Sequence, residues 1–264
     1  MIKFFRNIRQ KMLTENKFSK YLLYAFGEII LVVIGILIAL SINNWNQKQV
    51  AIKKETLALN NLILDLEEQS NLLKEYTKDE SYFYENGLDV LRHFAKHKAF
   101  TNKDSILPKL NSLASRRTFN PINTTFKELV STGNIGLIRN ETLKRNIMRH
   151  YNELERVVLI TSYNNTNIVD GLFNPVLLEQ TLFTNDNVYP DVKVMDHQIF
   201  DLESLKDLSL TSEKLLLTKE KSLHLFNVLQ FRILVANAQI QRYNLLQQEI
   251  TELLNAIKLE TEQE

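Results

Sequence analysis

The chain has no cysteine, which excludes disulfides and a lipid anchor on a cysteine, and leaves the compartment undecided. Glycine and proline are also scarce, six and four in 264 residues, and no segment keeps the two-residue alternation of a strand. Both shortages favour helix throughout. There is no glycine-rich phosphate loop and no GxSxG elbow, so two common catalytic signatures are missing. The formal net charge of +1 gives no footing for nucleic acid.

What the chain does have is one long apolar run, YLLYAFGEIILVVIGILIALSI, from Tyr21 to Ile42. At 1.5 Å per residue it reaches roughly 33 Å, the hydrocarbon thickness of a bilayer, and it is apolar on all sides. It is read as one transmembrane helix. The flank before it carries Lys3, Arg6, Arg9, Lys11, Lys17 and Lys20 against the single acid Glu15, whereas Lys48, Lys53 and Lys54 follow it. The positive-inside rule then places residues 1–20 in the cytoplasm and residues 43–264 beyond the inner membrane, in the periplasm. Tyr21, Tyr24 and Trp45 stand where amphipathic rings favour the headgroup region. Ala39 and Ser41 have the spacing of a signal-peptidase site, but the run exceeds the roughly 7 to 15 residues of such a core, so it is expected to stay attached. Before it, Ile2, Phe5, Ile8 and Met12 recur at helical spacing among basic residues, the pattern of an amphipathic helix lying on the inner leaflet.

Within the span, Glu28 is costly in lipid and calls for a partner or for water. Helical geometry sets Glu28, Gly35 and Ala39 on one face, and Gly35 with Ala39 forms a small-xxx-small pair through which two copies of the helix can approach. This is the expected self-association face. The alternative is that small residues are merely common in membrane helices.

The run TENKFSKYLLYAFGEIILVVIGILIALSINNWN, Thr14 to Asn46, resembles the opening of a family of uncharacterised single-pass membrane proteins frequent in Bacteroidota. FKELVSTGNIGLIRNETLKRNIMRHY, Phe126 to Tyr151, is more loosely similar to an element of that family in which a Ser-x-Gly-Asn turn joins two helices. The resemblance implies topology, and it supplies no catalytic residues.

Beyond the span two long amphipathic stretches are expected. In Asn46 to Lys98, Leu59, Leu62, Leu66, Leu73, Tyr76, Phe83, Val90 and Phe94 fall on three- and four-residue steps, interrupted in phase by Gln69, Glu80 and Gly87. This is a coiled-coil-like seam, with Gly87 a place for a bend or break. Thr211 to Thr261 keeps the same rhythm through Phe226, Leu229, Ile233, Ala236, Ile240, Tyr243, Ile250, Leu254 and Ile257, with Gln247 its polar intruder. The two stripes are predicted to bury each other, antiparallel. Shorter helices lie between them: one capped by Asp104 or Ser105 with Pro108 in its first turn, running to about Arg116 before a break over Phe119 to Asn123 with Pro121; one from Thr124 or Thr125 to a left-handed Gly133; and one capped by Asn140 and running to about Gly171 with a kink or stop at Asn174 and Pro175. Thr184 to Phe200 reads as a loop. The fold class is therefore all-α, an N-terminal transmembrane helix followed by an elongated antiparallel bundle.

Candidate chemistry is sparse. Glu85, Asp89, His93 and His97 share a helix face at metal-ligand spacing, but Lys96 and Lys98 beside them repel a cation. Asp186, Asp191, Asp196, His197 and Asp201 form an acidic loop of a kind common without function, and His150 and His224 are isolated. The GNIG element is read as a turn. From Arg116 to Arg156, eight basic residues face four acidic ones, and Arg145 and Arg149, one turn apart, would meet an anionic partner if not simply solvated. The expectation is thus a non-enzymatic scaffold or interaction module without cofactor or metal. Its partners would be the lipid bilayer, a second copy through the membrane helix and a further protein, with no nucleic acid. The alternative is a sensory bundle that binds a small ligand among Gln69, Glu80 and Gln247; a membrane-tethered enzyme comes third.

Overall fold

The computed structural model describes residues 18–101, 106–183 and 205–262, with side chains from Leu22 onward. Every element in them is helical: α1 (Phe18–His97), α2 (Ile106–Ser112), α3 (Thr124–Ser131), a 3-10 turn (Asn134–Leu137), α4 (Glu141–Tyr163), a π-helical stretch (Asn164–Phe173), α5 (Asn174–Gln180), α6 (Lys206–Leu216) and α7 (Lys219–Glu262). The amphipathic segment around Ile2, Phe5, Ile8 and Met12, the cap at Asp104 or Ser105, and the acidic loop with Asp186, Asp191, Asp196, His197 and Asp201 lie outside the described residues. The chain divides into two units, Met1–Leu57 and Ala58–Glu264.

In the first unit the apolar run is helical, and no described residue from Leu22 to Ile42 is buried. Its most apolar 18-residue window has a mean hydropathy of 2.7. By length and composition this helix is able to cross a membrane.

The second unit is a helical bundle built on the antiparallel pairing of α1 with α7. Glu67 pairs with Lys258 at 3.0 Å, the Gln247 amide donates to Ser70 at 2.6 Å, Tyr76 lies 5.9 Å from Tyr243 between ring centroids, and Phe94 lies 5.2 Å from Phe226. Rising residue numbers on α1 meet falling ones on α7. The expected seam matches the core in part. Tyr76, Phe94, Phe226, Ile240 and Leu254 are half-buried, and on α7 the row one position earlier, Leu225, Arg232, Gln239, Leu246 and Leu253, is buried. Leu59, Leu62, Leu66, Leu73, Phe83 and Val90 are buried, as are Leu229, Ile233, Ala236, Tyr243, Ile250 and Ile257. Each fully buried side chain of this size contributes about 1.5–3 kcal/mol. The apolar core falls into two clusters, one around Leu62, Leu66, Tyr151 and Ile250, the other around Phe83, Leu110, Phe173 and Leu229.

Three expectations are corrected. The helix of α1 does not break at Gly87. A Cβ there would stand 2.5 Å from Ile233 Cγ1, so glycine is what lets α7 come close. The C-terminal stretch is not one helix from Thr211, because α6 ends at Leu216 and α7 starts at Lys219. The Ser222 hydroxyl donates to the Leu216 carbonyl at 2.6 Å, satisfying an orphaned end group of α6 and fixing the break. The third helix does not stop near Gly171: α4 continues through the π-helical stretch into α5, with Pro175 in the first turn of α5. Proline cannot donate to the helical ladder, and the wider winding just before it accommodates that gap.

Other local readings hold. Gly133 is left-handed with φ of 73°, and the Asn140 side chain accepts from the backbone N–H groups of Thr142 and Leu143. Gly87→Val is expected to destabilise the bundle by about 1–3 kcal/mol through overpacking. Ile233→Ala in the same chain should restore part of the loss, so that the two changes are non-additive when unfolding in denaturant is followed by circular dichroism.

Candidate functional site

The most densely wired part of the second unit is a stretch that is not helical, the strap from Leu113 to Asn123 between α2 and α3. The N–H groups of Leu113, Ala114 and Ser115 still bond to carbonyls of α2, but the strap's carbonyls have no ladder to join, and burial would leave them costly unless other residues supply partners. Side chains from several helices do so. Arg232 of α7 donates from Nε to the Leu113 carbonyl at 2.9 Å and from Nη2 to the Ser115 carbonyl at 3.0 Å. Asn174 Nδ2 donates to the Ala114 carbonyl at 3.2 Å, and Asn165 Nδ2 to the Arg117 carbonyl at 2.7 Å. From α1, Gln69 Oε1 accepts from the Ile122 N–H at 2.5 Å, and Asp65 Oδ2 accepts from the Thr125 N–H at 2.8 Å, capping α3 from outside. Phe119 of the strap stacks on Tyr243 at 5.3 Å and meets Tyr76 edge-on at 5.6 Å.

Arg232 is 1% exposed, as are Glu80 and Gln239. Arg232 Nη1 lies 3.6 Å from Glu80 Oε2, and its guanidinium sits 4.9 Å from the centroid of the Phe83 ring. With its amide nitrogen turned toward the carboxylate, Gln239 donates to Glu80 at 2.8 and 3.2 Å. Burial pushes the Glu80 carboxyl above its ordinary range, and Arg232 pulls against that shift. These groups form a polar layer between the two apolar clusters. Glu80 is legible in the sequence as a break in the seam. Arg232 is passed over in the sequence reading, although it is the one Lys, Arg, Asp or Glu between Lys221 and Arg242 and stands three residues after Leu229 and four before Ala236, which is the signal of its burial.

The π-helical stretch faces the same strap. Besides the bonds from Asn165 and Asn174, Asp170 takes Arg116 Nε on both carboxylate oxygens at 2.8 Å. Arg117 Nε pairs with Asp79 Oδ2 at 2.5 Å. Beside the strap opens a cleft of about 180 Å³ lined by Arg116, Thr118, Asn120, Ser162, Asn165 and Thr166. Asn120 and Val158 carry it into a shallower groove of about 420 Å³ that reaches Pro121, Lys127 and Leu159.

The residues singled out from sequence stand apart from this centre. Gln69, Glu80 and Gln247 do not surround one cavity, since each has an internal partner in the strap, in Arg232 and Gln239, or in Ser70. Asp89 pairs with Lys109 and Arg92, and His93 Nε2 lies 2.9 Å from Thr101 Oγ1. Among the described residues no group of three His, Cys, Asp or Glu is set to hold a metal. Glu28 is half-buried, Ala39 is exposed, and nothing lies within 4 Å of where a Cβ would stand on Gly35. Arg145 and Arg149 are exposed, with Arg149 beside Glu249 and Glu252 around a pocket of about 60 Å³.

That pocket also contains His150, 3% exposed, whose Nδ1 lies 3.4 Å from Glu249 Oε2. Desolvation drives its pKa down to about 4, with Glu153 opposing, while burial and Glu153 push the Glu249 carboxyl upward.

Two predictions follow from these groups. Glu80→Leu leaves the Arg232 guanidinium buried without its carboxylate and should cost about 3–5 kcal/mol, whereas adding Arg232→Met should recover part of that loss in equilibrium unfolding. His150 is neutral in folded and unfolded chains above pH 6.5, and below it the unfolded chain takes up the proton first. Stability from this group is therefore lost as pH falls from 6.5 toward 4, by up to about 3 kcal/mol. His150→Gln should flatten the acid limb of the stability curve over that window.

Comparison with known families finds a match over residues 28–201, to a family described as of unknown function, DUF6090. The match takes in the apolar run from Glu28, Glu80, the strap and the π-helical stretch, and ends before α7, which supplies Arg232 and Gln239. No curated protein and no solved structure matches the chain. With well over half of its length covered, the chain belongs to the DUF6090 family of unknown function.

Proposed function

We propose that this protein is a single-pass inner-membrane scaffold. Its basic N-terminus would lie in the cytoplasm, and its helical bundle would present surfaces to a partner in the periplasm. The observation that carries the anchoring is the apolar run itself: from Leu22 to Ile42 none of its described side chains is buried, and a soluble protein does not leave such a surface to water. The orientation follows from the cationic flank. The N-terminal signature of Thr14 to Asn46, and the bacterial lineage it resembles, belong to this reading. So does self-association of the membrane helix through Glu28, Gly35 and Ala39.

The non-catalytic role is supported by how the buried polar groups are engaged. Arg232, Glu80, Gln239, Gln69 and Asn165 all bond to other parts of the bundle, which suits a rigid support. Arg145 and Arg149 offer an exposed cationic edge to an anionic partner, tempered by Glu249 and Glu252 beside Arg149. The cleft of about 180 Å³ beside the strap favours a second reading, a sensory bundle that takes a small polar ligand there and signals through a partner.

Fractionation and protease accessibility test the proposal. The full-length chain should sediment with membranes and resist extraction by carbonate. Protease added to spheroplasts should remove the bundle while sparing a tag at the N-terminus. A chain recovered in the soluble fraction, or a bundle wholly protected in intact spheroplasts, would overturn the anchoring or the orientation respectively.

A further inference from the structure

The buried polar groups of the bundle are bonded to one another, whereas the polar groups in the walls of the cleft beside the strap are not. Thr118 and Asn120 come from the strap, Ser162 and Thr166 from the helical run that receives it, and none of the four holds a side-chain bond among the described residues. Asn165 lines the same cleft and is 3% exposed. Its Nδ2 is spent on the Arg117 carbonyl, while its Oδ1 has no partner. An acceptor buried without a bond is costly, and a donor brought into the cleft would supply it. Part of the wall is the π-helical stretch, a winding frequent at functional sites.

The lining narrows what fits. Its one charged side chain, Arg116, is neutralised by Asp170 through both carboxylate oxygens, so a charged ligand finds no free counterion in the cleft. Phe119, its one aromatic residue, is 3% exposed and packs on Tyr243 and Tyr76, so a flat heteroaromatic ring has nothing to stack on. What remains is hydroxyls and carboxamides, side chains that both donate and accept. Their complement is an uncharged molecule with donors and acceptors on every side.

We propose that the cleft binds a neutral saccharide, with one ring in the cleft and the next in the groove that continues it. The groove adds Pro121, Val158 and Leu159, apolar surface for the C–H face of a sugar ring, and its two charges, Lys127 and Glu155, are of opposite sign. At about 180 and 420 Å³ the two hollows together fall in the range of small-molecule sites, roughly 300–1,000 Å³. The proposal gives a ligand class to the sensory reading above and rests on it.

The test uses the full-length chain in a detergent whose head group is not a sugar. Maltose, cellobiose, lactose and N,N′-diacetylchitobiose are added in turn, with glutamate and lysine as charged probes, and binding is read by saturation-transfer NMR. At least one disaccharide should receive saturation. Ser162→Trp, which sets a large ring in the cleft from an exposed position, should abolish the signal with the circular-dichroism spectrum unchanged. Asn120→Ala should weaken the affinity about fivefold, and it decides alone if Ser162→Trp does not fold. No transfer to any of the four sugars, or transfer that survives both substitutions, overturns the proposal. Transfer to glutamate or lysine alone, lost in Ser162→Trp, overturns the saccharide and leaves the ligand-binding reading standing; silence from every probe overturns both.

Discussion

A buried guanidinium holds this bundle together. Arg232 reaches from α7 into the interior, takes two carbonyls of the strap, rests against Phe83 and faces Glu80 of α1. Desolvating such a charge is expensive, and it is tolerated because carbonyls, carboxylate and ring complete its surroundings. The same set of contacts makes the pairing of α1 with α7 specific. Leucine seams alone permit slippage by a heptad, whereas a shift of that size here would bury Glu80 and Arg232 apart from each other. Gly87 adds a steric check on the register, since only there can the wall of Ile233 close on the α1 backbone.

Much of the architecture was legible in the sequence because it rests on periodicity. Leu59, Leu62, Leu66 and Leu73 on one helix, and Tyr243, Ile250 and Ile257 on the other, announce their burial by spacing. Gly133 and Asn140 announce a turn and a cap by chemistry that few other residues can supply. What periodicity cannot convey is a contact between residues far apart in the chain. The strap reads as a plain break at Pro121, although its backbone is bonded at Leu113, Ala114, Ser115, Arg117 and Ile122 by side chains of α1, α7 and the helix through Asn165 and Asn174. Arg232, the one Lys, Arg, Asp or Glu between Lys221 and Arg242, stands out in the sequence, but the carbonyls and the carboxylate it meets do not. Gly87 was open to two meanings, a bend or a close approach, and only the position of Ile233 separates them.

The π-helical stretch has the same origin. An α-helix from Glu141 onward would rotate Asn165, Asp170 and Asn174 by the usual 100° per residue, whereas the wider winding lets all three meet the strap. The irregularity is thus set by what the helix must reach, and Pro175 is accommodated by it. The family match covers this region together with the apolar run, so the strap and the helix that receives it lie within the matched segment, while the helix that locks them lies outside it.

The strap also has a consequence for the order of events at the ribosome. Its carbonyls at Leu113 and Ser115 are bonded by a residue synthesised more than a hundred positions later. Until α7 has emerged, the apolar faces of the earlier helices have no permanent cover, and the nascent chain must remain loosely packed or be shielded by a chaperone. Closure of the interior is in this sense a check on complete translation: a product that stops short of Arg232 lacks the group that seals it, and is left open to proteolysis.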